Sequence, residues 1–505
     1  MKTQAVSFCF VVAFCLATTA SPAQTFTTLA SFHKTVGYTP SAALIQGADG
    51  NFYGGTPIGG PGNKLRGPCR PLGCGTVFKV SPGGQLTAVH SFDVTDGSGA
   101  NGPLALAADG NFYGTTGGGT FDCGTVFKIT PEGTLTTLYN FNCADGFGPN
   151  GLIQATDGNF YGTTTLGGVY GPLEGTVFKI TPAGVEKVLH NFTGGADGQF
   201  PAAGLIQAID GNFYGTTFSG GANQFCQGQG NQLVGCGTVF KITPKGKLTT
   251  LYNFCSQPDC ADGVFPFAGL IQGADGNLYG TTFGEFGITS PGTVFRVTTE
   301  GVLTNLYTFC SQLNCADGGW PNGLVQATDG NLYGTANGGG DDNDGTVFKM
   351  TLEGNLTTLH SFCSRRNCND GSSPNAGLVQ GTDGNLYGTA SEGGPRFCPG
   401  SNNVVSCGTV FSLSLGLAPF VETIPTSGKL GAKVIILGNN LTGTTTVSFN
   451  GTPAKFKVVS DTEITTRVPK GTTPGPVTVT TPSGTLTSNV PFIVHLFRST
   501  GAIRR

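Results

Sequence analysis

Charged residues are scarce in this chain of 505 residues. Asp, Glu, Lys and Arg make up 11% of it, against about 25% in an ordinary globular domain. This scarcity argues against coiled coils, charged disordered tails and long exposed helices. The formal net charge of −3 provides no basic footprint for nucleic acid and no polybasic patch for a membrane surface. We therefore expect no nucleic-acid partner.

Residues that usually carry catalysis are also few. The chain has five His, and it contains no H-E-x-x-H, G-x-S-x-G or P-loop motif. Because the loops contain Asp and Glu, a glycosidase with paired carboxylates stays open, but no particular pair stands out. The sequence favours a protein that is not an enzyme.

The chain has one apolar run of note. Val6–Ala17 carries no charge, follows Lys2 and precedes small residues ending at Ala23. This pattern is typical of a secretory signal peptide, which we place at residues 1–23. The run is too short to span a bilayer, and no longer one follows it. We expect a secreted or cell-surface protein without a transmembrane segment.

Glycine and proline are abundant instead. The chain holds 84 Gly and 29 Pro, residues that interrupt helices and favour turns. Hydrophobic residues make up 38% and aromatic residues 10%, which is enough apolar surface for a sizeable core. These features predict a large all-β protein rich in turns.

A repeated unit explains this composition. Residues 151–192 form one clear copy, with GLIQATDGNFYGTT at its start and GTVFKITPAG further on. Asp-Gly-Asn and Thr-Pro-x-Gly are typical of tight hairpin turns, so each unit contains four short antiparallel strands. Asp-Gly-Asn begins at Asp49, Asp109, Asp157, Asp210, Asp275, Asp329 and Asp383, and Gly-Thr-Val-Phe at Gly75, Gly124, Gly175, Gly237, Gly292, Gly345 and Gly408.

Seven units of four strands predict a seven-bladed β-propeller over residues 25–415. The last unit lacks its fourth strand, whereas a fourth-strand motif at Thr25–Phe32 precedes the first complete unit. We expect this N-terminal strand to complete the last blade and close the ring, which removes an open sheet edge.

Two repeated side chains belong to this scaffold. The Tyr that follows each Asp-Gly-Asn is expected in the core between blades. A Gln ends the first strand of every unit except the second, which has Leu106 instead. We expect the amides to be satisfied by neighbours and water; amides lining a wet central channel are the alternative.

Fourteen of the 16 Cys lie outside the signal peptide, an even number that suits an oxidising compartment. Zinc is the competing interpretation, but no C-x-x-C pair occurs and His is nearly absent nearby, which favours disulfides. The expected pairs are Cys69 with Cys74, Cys123 with Cys143, Cys226 with Cys236, Cys255 with Cys260, Cys310 with Cys315, Cys363 with Cys368, and Cys398 with Cys407.

The variable connections, and the Cys with them, fall on one face of the predicted propeller, where we expect the ligand. The six loops between successive blades each carry an Asp-Gly motif. We propose these carboxylates as candidate ligand-binding residues; a calcium ion is one occupant, and otherwise no cofactor is expected. The alternative, which we favour, is that each Asp folds onto its own backbone as an Asx-turn. The six residues are Asp96, Asp145, Asp197, Asp262, Asp317 and Asp370.

Residues 418–494 alternate apolar and polar positions in several short strands, which predicts a small immunoglobulin-like β-sandwich. The segment closely resembles the IPT/TIG domain, through Ile424-Pro425, Gly428, Phe449-Asn450-Gly451 and the closing Pro491–Val494. That resemblance implies an extracellular surface module. Residues 495–505 are expected to form a short tail.

The repeats, with DGN-[FL]-YG and GTVF, resemble the tandem repeat of GloVer-type "choice-of-anchor" proteins over nearly all of residues 25–415. The resemblance implies an exported, surface-associated protein. We therefore expect a monomeric, non-enzymatic binding or adhesion protein whose loop face engages an extracellular glycan or protein. The alternative is an extracellular propeller hydrolase or lyase that acts on a carbohydrate-like substrate.

Overall fold

The computed structural model describes residues 24–60, 69, 72–100, 102–223, 226–227, 233–284, 291–399 and 404–495. The predicted signal peptide, and residues 496–505 of the predicted tail, lie outside the described residues. The described chain is all-β, and its helical segments are single 3-10 turns at Pro258–Cys260, Leu313–Cys315 and Arg366–Cys368. None of these turns has the length or hydrophobicity that crossing a membrane requires.

Each repeat forms an antiparallel sheet whose strands are paired in chain order, and we number these sheets first to seventh. The first strands are Ile45–Gln46, Ala105–Leu106, Ile153–Gln154, Ile206–Gln207, Ile271–Gln272, Gly319–Gln326 and Val379–Gln380. The second strands are Phe52–Thr56, Phe112–Thr116, Phe160–Leu166, Phe213–Thr217, Leu278–Thr282, Leu332–Gly338 and Leu386–Ala390.

The third and fourth strands of the sheets are equally regular. The third strands are Thr76–Val80, Thr125–Ile129, Thr176–Ile180, Thr238–Ile242, Thr293–Val297, Thr346–Met350 and Thr409–Ser414. The fourth strands of the first six sheets are Leu86–Ser91, Leu135–Asn140, Glu186–Asn191, Leu248–Asn253, Leu303–Thr308 and Leu356–Ser361. Short additions are Phe147–Pro149 in the third sheet and two hairpins, Cys226–Gln227 with Leu233–Val234 and Phe397–Pro399 with Val404–Ser406.

The seventh sheet takes its fourth strand from the start of the chain. Thr25–Ser31 pairs antiparallel with Thr409–Ser414, in a register that sets Thr25 opposite Ser414. The ring of Phe32, just after this strand, meets Phe78 of the first sheet edge-to-face at 4.9 Å. The N-terminal strand therefore connects the last repeat to the first.

Aromatic side chains pack each sheet on the next. The ring of Tyr161 stacks on Phe213 in the following sheet with centroids 4.1 Å apart. The same contact joins the seventh sheet to the first, between Tyr387 and Phe52 at 3.9 Å. All seven repeated Tyr are at most 2% exposed, which confirms the prediction that they belong to the core.

The Asp-Gly-Asn hairpins explain why these Tyr are buried with their hydroxyls satisfied. Asp157 accepts hydrogen bonds from the Asn159 backbone at 3.0 Å, the Tyr161 hydroxyl at 2.9 Å and the Lys179 ammonium at 2.7 Å. Burial alone would raise the pKa of Asp157, but these bonds outweigh it and lower the pKa. One carboxylate thus forms hydrogen bonds with the turn, with the buried Tyr and with the Lys of the third strand.

The repeated Gln side chains bridge neighbouring sheets. Gln154 accepts from the backbone of Ala108 in the preceding sheet at 2.9 Å and donates to Gly158 of its own turn at 3.3 Å. Gln46 closes the series by accepting from Thr382 of the seventh sheet at 2.9 Å. The amides are therefore satisfied by neighbouring backbone, as expected.

Residues 422–495 form two further four-stranded sheets and a short parallel pair, which we call the C-terminal sheets. They pack around a shared apolar cluster that includes Val447, Phe449, Val479 and Phe492. Their strands are Glu422–Ile424, Ser427–Lys429, Lys433–Leu437, Thr446–Phe449, Thr452–Pro453, Phe456–Val458, Glu463–Arg467, Val477–Thr481, Gly484–Thr487 and Ile493–His495.

Strand Lys433–Leu437 is buried on both sides beyond its first residue. Val434 and Ile436 face the core of the C-terminal sheets, whereas Ile435 and Leu437 join a cluster of the repeat sheets that includes Leu106. Leu106 stands where the other repeats carry Gln, so this exception adds an apolar side chain to the cluster that Ile435 and Leu437 join.

Candidate binding site: an aromatic strip on the loop face

Strand alternation separates the connections onto two faces of the repeat sheets. One face carries the tight Asp-Gly-Asn and Thr-Pro-x-Gly turns. The other, which we call the loop face, carries the connections from second to third strand and those that enter the next sheet. The two kinds of loop pair with each other, as in the bridges of Gln199 with Ser219 and of Ser98 with Gly118. The loop face is thus a continuous, internally bonded surface.

Disulfide bonds brace this face. The structure contains all seven expected pairs, which confirms them: Cys69–Cys74, Cys123–Cys143, Cys226–Cys236, Cys255–Cys260, Cys310–Cys315, Cys363–Cys368 and Cys398–Cys407. Each pair lies within the long connections or at their edges. The loops that vary between repeats are therefore held in place covalently.

Each of the six predicted loop aspartates forms polar contacts with its own loop and with the fourth strand that precedes it. Asp317 accepts from the Tyr307 hydroxyl at 2.8 Å, from the Ser311 backbone at 3.0 Å and from the Gln312 backbone at 3.3 Å. Equivalent bonds tie Asp96, Asp145, Asp197, Asp262 and Asp370 to a fourth-strand Tyr or His and to backbone or hydroxyl groups of their own loops.

Burial and hydrogen bonding decide what these carboxylates can do. Asp262, Asp317 and Asp370 are 0% exposed. Burial would raise the pKa of Asp197, but hydrogen bonds from His190 and Thr193 outweigh it and lower that pKa. Binding a cation at these positions would require the present donors to leave. Among the described residues, no hydrogen bond joins one of these six carboxylates to another.

A strip of six aromatic rings crosses the loop face instead. Successive ring centroids lie 5.8 Å apart for Phe200 and Phe218, 4.8 Å for Phe218 and Phe265, and 6.1 Å for Phe218 and Phe267. The strip continues over Phe267 to Phe283 at 6.2 Å and from Phe283 to Trp320 at 6.4 Å. It spans the entry loops and second-strand ends of the fourth, fifth and sixth sheets.

The strip is accessible on the protein surface. Phe267 is 46% exposed, and Phe200, Phe218, Phe283 and Trp320 are partly exposed. Only Phe265 is buried, at 5%. Trp320 is the single Trp of the sequence. Aromatic rings in partial contact with water are a costly surface unless something covers them.

Three of these aromatic residues have an unfavourable backbone conformation. Phe200, Phe265 and Trp320 each precede a loop proline and have φ values of 57°, 58° and 55°. At this position the second and third repeats have Gly99 and Gly148. The backbone is left-handed at this position in every repeat, Thr39 and Ser373 included, so the scaffold imposes on each bulky residue there a cost of about 1–2 kcal/mol.

Neighbouring groups hold the strained positions in place. The Trp320 backbone donates to Pro291 at 2.7 Å and the Phe265 backbone to Cys236 at 2.9 Å, each in the preceding repeat. A Cβ on Gly338 would lie 2.4 Å from Cζ3 of the Trp320 ring, so glycine is required under the indole. Hydrogen bonds to the preceding repeat and close packing on Gly338 therefore fix the position of these residues.

Polar side chains extend the strip beyond Trp320. Asn337, next to Gly338, donates to Asn375, and Asn375 donates to Ser391 at 2.8 Å. Amides and hydroxyls beside exposed rings can bond ligand hydroxyls while the rings contact its apolar face.

Sequence reasoning missed the strip. The prediction rested on positions that the repeats share, and those positions build the scaffold. The signal lay in the positions at which the repeats differ. Aromatic residues cluster at loop positions where other repeats have Gly, Thr or Ser, as at Thr39, Gly148 and Ser373.

Comparison with solved structures shows similarity of fold alone. A fungal alcohol oxidase of the AA5 family, in complex with copper, matches with a TM-score of 0.53 and 14% identity over 92% of this chain and 98% of its own. A puromycin hydrolase matches with a TM-score of 0.44 and 13% identity over 90% of this chain and 60% of its own. A search of curated proteins found no match.

The repeats themselves match a known family. The model of the Gloeobacter/Verrucomicrobia repeat matches three overlapping segments, residues 15–168, 115–312 and 225–458. These segments include every Asp-Gly-Asn turn and every Gly-Thr-Val-Phe strand identified above. Since they cover well over half of the chain, the protein belongs to the Gloeobacter/Verrucomicrobia repeat family.

Proposed function

We propose that this protein is a non-enzymatic glycan-binding protein that acts outside the cell, and that the aromatic strip is its binding site. The observation that carries the proposal is the row of six rings in mutual contact, three of them on strained backbone. The apolar C–H face of a sugar ring packs on an aromatic ring while its hydroxyls bond to polar neighbours. The length of the strip suits several consecutive sugars.

The proposed architecture is a seven-bladed β-propeller at residues 25–415, closed by the N-terminal strand. It is followed by an immunoglobulin-like IPT/TIG domain at residues 418–494 and a tail at residues 495–505. The series of contacts that returns from the seventh sheet to the first, and the two packed C-terminal sheets, support this proposal. Seven disulfides suit the export that a signal peptide at residues 1–23 would provide.

Trp320 allows a direct test. Because it is the single Trp, its fluorescence should change when oligosaccharides selected on a glycan array are titrated into the protein. Phe267→Ala should weaken binding by about tenfold or more, as loss of a central aromatic contact does. Phe121→Ala is the matched control, because Phe121 is 60% exposed in a loop outside the strip.

The strained position adds a second variant. Phe200→Gly relieves the left-handed conformation, so it should weaken binding without lowering the melting temperature. Normal binding by both Phe267→Ala and Phe200→Gly would contradict the proposal. Product formation from a bound glycan would instead favour an extracellular hydrolase or lyase.

A further inference from the structure

A groove in the C-terminal sheets is lined by cationic side chains. Its volume is about 690 Å³, and all five cations are exposed. They account for every Lys and Arg of residues 422–495 except Lys429. The five are Lys433, Lys455, Lys457, Arg467 and Lys470.

Strand register places three of these cations in one row. Lys433 lies directly opposite Arg467, and Phe456 lies opposite Thr466, so Lys455 continues the row on the third strand. Side chains opposite each other share a face with Cβ atoms about 4.5–5.5 Å apart. The row therefore presents three like charges side by side.

This arrangement is unfavourable for the sheet alone, because like charges in opposite positions destabilise strand pairing. In the described part of the chain, none of the five cations forms a salt bridge. Arg467 donates to the Gly431 carbonyl at 2.9 Å. A bound anion would turn the repulsion into a favourable interaction.

The groove also has a fixed place in the molecule. Lys433 lies on the same strand face as Ile435 and Leu437, which are buried against the repeat sheets. The cationic row thus begins where the contact with the repeat sheets ends. Five cations line one groove of about 690 Å³, which favours an extended ligand with several negative charges over one small anion.

We propose that this groove binds a linear anionic polysaccharide through its carboxylate or sulfate groups, at a site separate from the aromatic strip. Phe456 is the single aromatic residue among those that line the groove in the described chain, and it packs against the core cluster of the C-terminal sheets. Proteins that bind single-stranded nucleic acid combine basic grooves with exposed rings for base stacking. The groove lacks such rings, so its chemistry favours the polysaccharide.

The test uses the full chain without residues 1–23. Its binding to immobilised polygalacturonate, dextran sulfate and neutral dextran is measured at two salt concentrations. We expect binding to one or both charged polymers, none to dextran, and weaker binding at higher salt. The two charged polymers distinguish carboxylate from sulfate recognition.

Charge-neutral variants locate the binding site. Lys433→Gln, Lys455→Gln and Arg467→Gln combined should lower affinity at least about tenfold. Lys187→Gln, Lys245→Gln and Lys247→Gln combined remove the same charge from exposed positions on the repeat sheets and should leave affinity unchanged. If the first triple variant does not fold, Lys455→Gln alone should still weaken binding measurably.

Several results would overturn the proposal. These are no binding to either charged polymer, equal losses in the two triple variants, and tighter binding to a single-stranded oligonucleotide than to the polymers. Self-association that the groove variant abolishes would assign the groove to a second copy of the chain. Phe267→Ala should leave polymer binding intact, so failure here and failure of the aromatic strip are distinguishable.

Discussion

Asp317 illustrates how a buried carboxylate organises an entry loop. It is 0% exposed, yet every bond it accepts comes from its own loop or from the Tyr307 hydroxyl of the fourth strand. A carboxylate that accepts backbone N–H groups stabilises a loop whose amides have no partner in a sheet. The Asp-Gly motif therefore explains the loop shape without a ligand.

Replacing Asp317 should test this role. We expect Asp317→Asn to destabilise the protein by about 1.5–3 kcal/mol, because it removes the charge from several hydrogen bonds and introduces an amide donor among donors. Thermal unfolding measures the effect. Asp342→Asn, at an exposed position in a nearby loop, is the control and should change little. Equal melting of the two variants would contradict the structural role.

Single residues also show where prediction from sequence reaches its limit. The hairpins and the buried Tyr could be predicted because Asp-Gly-Asn imposes the same local geometry in every repeat. Phe218 and Trp320 could not, since their significance depends on which loops lie side by side. The role of Leu106 likewise depends on the fold, since it belongs to the apolar cluster that also contains Ile435 of the C-terminal sheets.

At the scale of elements, the N-terminal strand takes the place of the fourth strand that the last repeat lacks. Its pairing with Thr409–Ser414 and the contact of Phe32 with Phe78 repeat what a strand within the chain does elsewhere. Phe192, for example, meets Phe240 of the next sheet at 5.3 Å. The pattern of complete and incomplete units made this pairing predictable from the sequence.

The two Phe residues provide a matched experiment. Phe32→Ala and Phe192→Ala each empty a site that is 0% exposed, and each should cost about 3–5 kcal/mol. Phe32→Ala should in addition speed hydrogen exchange in both Thr25–Ser31 and Thr409–Ser414, because it loosens a strand that no hairpin joins to its partner strand. Identical exchange in these strands for the two variants would argue against a special role of the N-terminal strand.

At the scale of the whole molecule, the C-terminal sheets rest on the tight-turn face of the repeat sheets. Thr462 donates to the Ala48 carbonyl at 2.7 Å and Asn439 to the Thr382 hydroxyl at 2.7 Å. Together with Ile435 and Leu437, these contacts reach the first, second and seventh sheets. The sequence predicted the C-terminal strands from their alternation but carried no signal for this docking, which pairs surfaces far apart in the chain.

Glu422 should make the stability of the folded protein depend on pH. It lies on the strand face of Ile424, which packs against the repeat sheets, and burial raises the pKa of its carboxyl to about 7. Compared with the unfolded chain, the folded protein therefore keeps Glu422 protonated up to a higher pH. Its contribution to stability is complete below the unfolded pKa near 4.5 and is lost as the pH rises through about 7.

Melting temperatures measured between pH 5 and pH 8 should show the effect. The wild type should lose stability over this range, and Glu422→Gln should reduce the loss. Burial, together with the Asp145 charge, also raises the pKa of Glu186 to about 7, so Glu186→Gln should reduce the remainder. A wild-type slope unchanged by both substitutions would refute this assignment.

The pairing of Thr25–Ser31 with Thr409–Ser414 also constrains the order of synthesis. The first of these strands is made at the beginning of translation, whereas its partner is made only after all the intervening repeats. Until then Thr25–Ser31 presents an unpaired edge, which is prone to aberrant pairing. The seventh sheet can therefore be completed only after nearly all of the repeat region has been made, so termination within the repeats leaves Thr25–Ser31 without its partner strand.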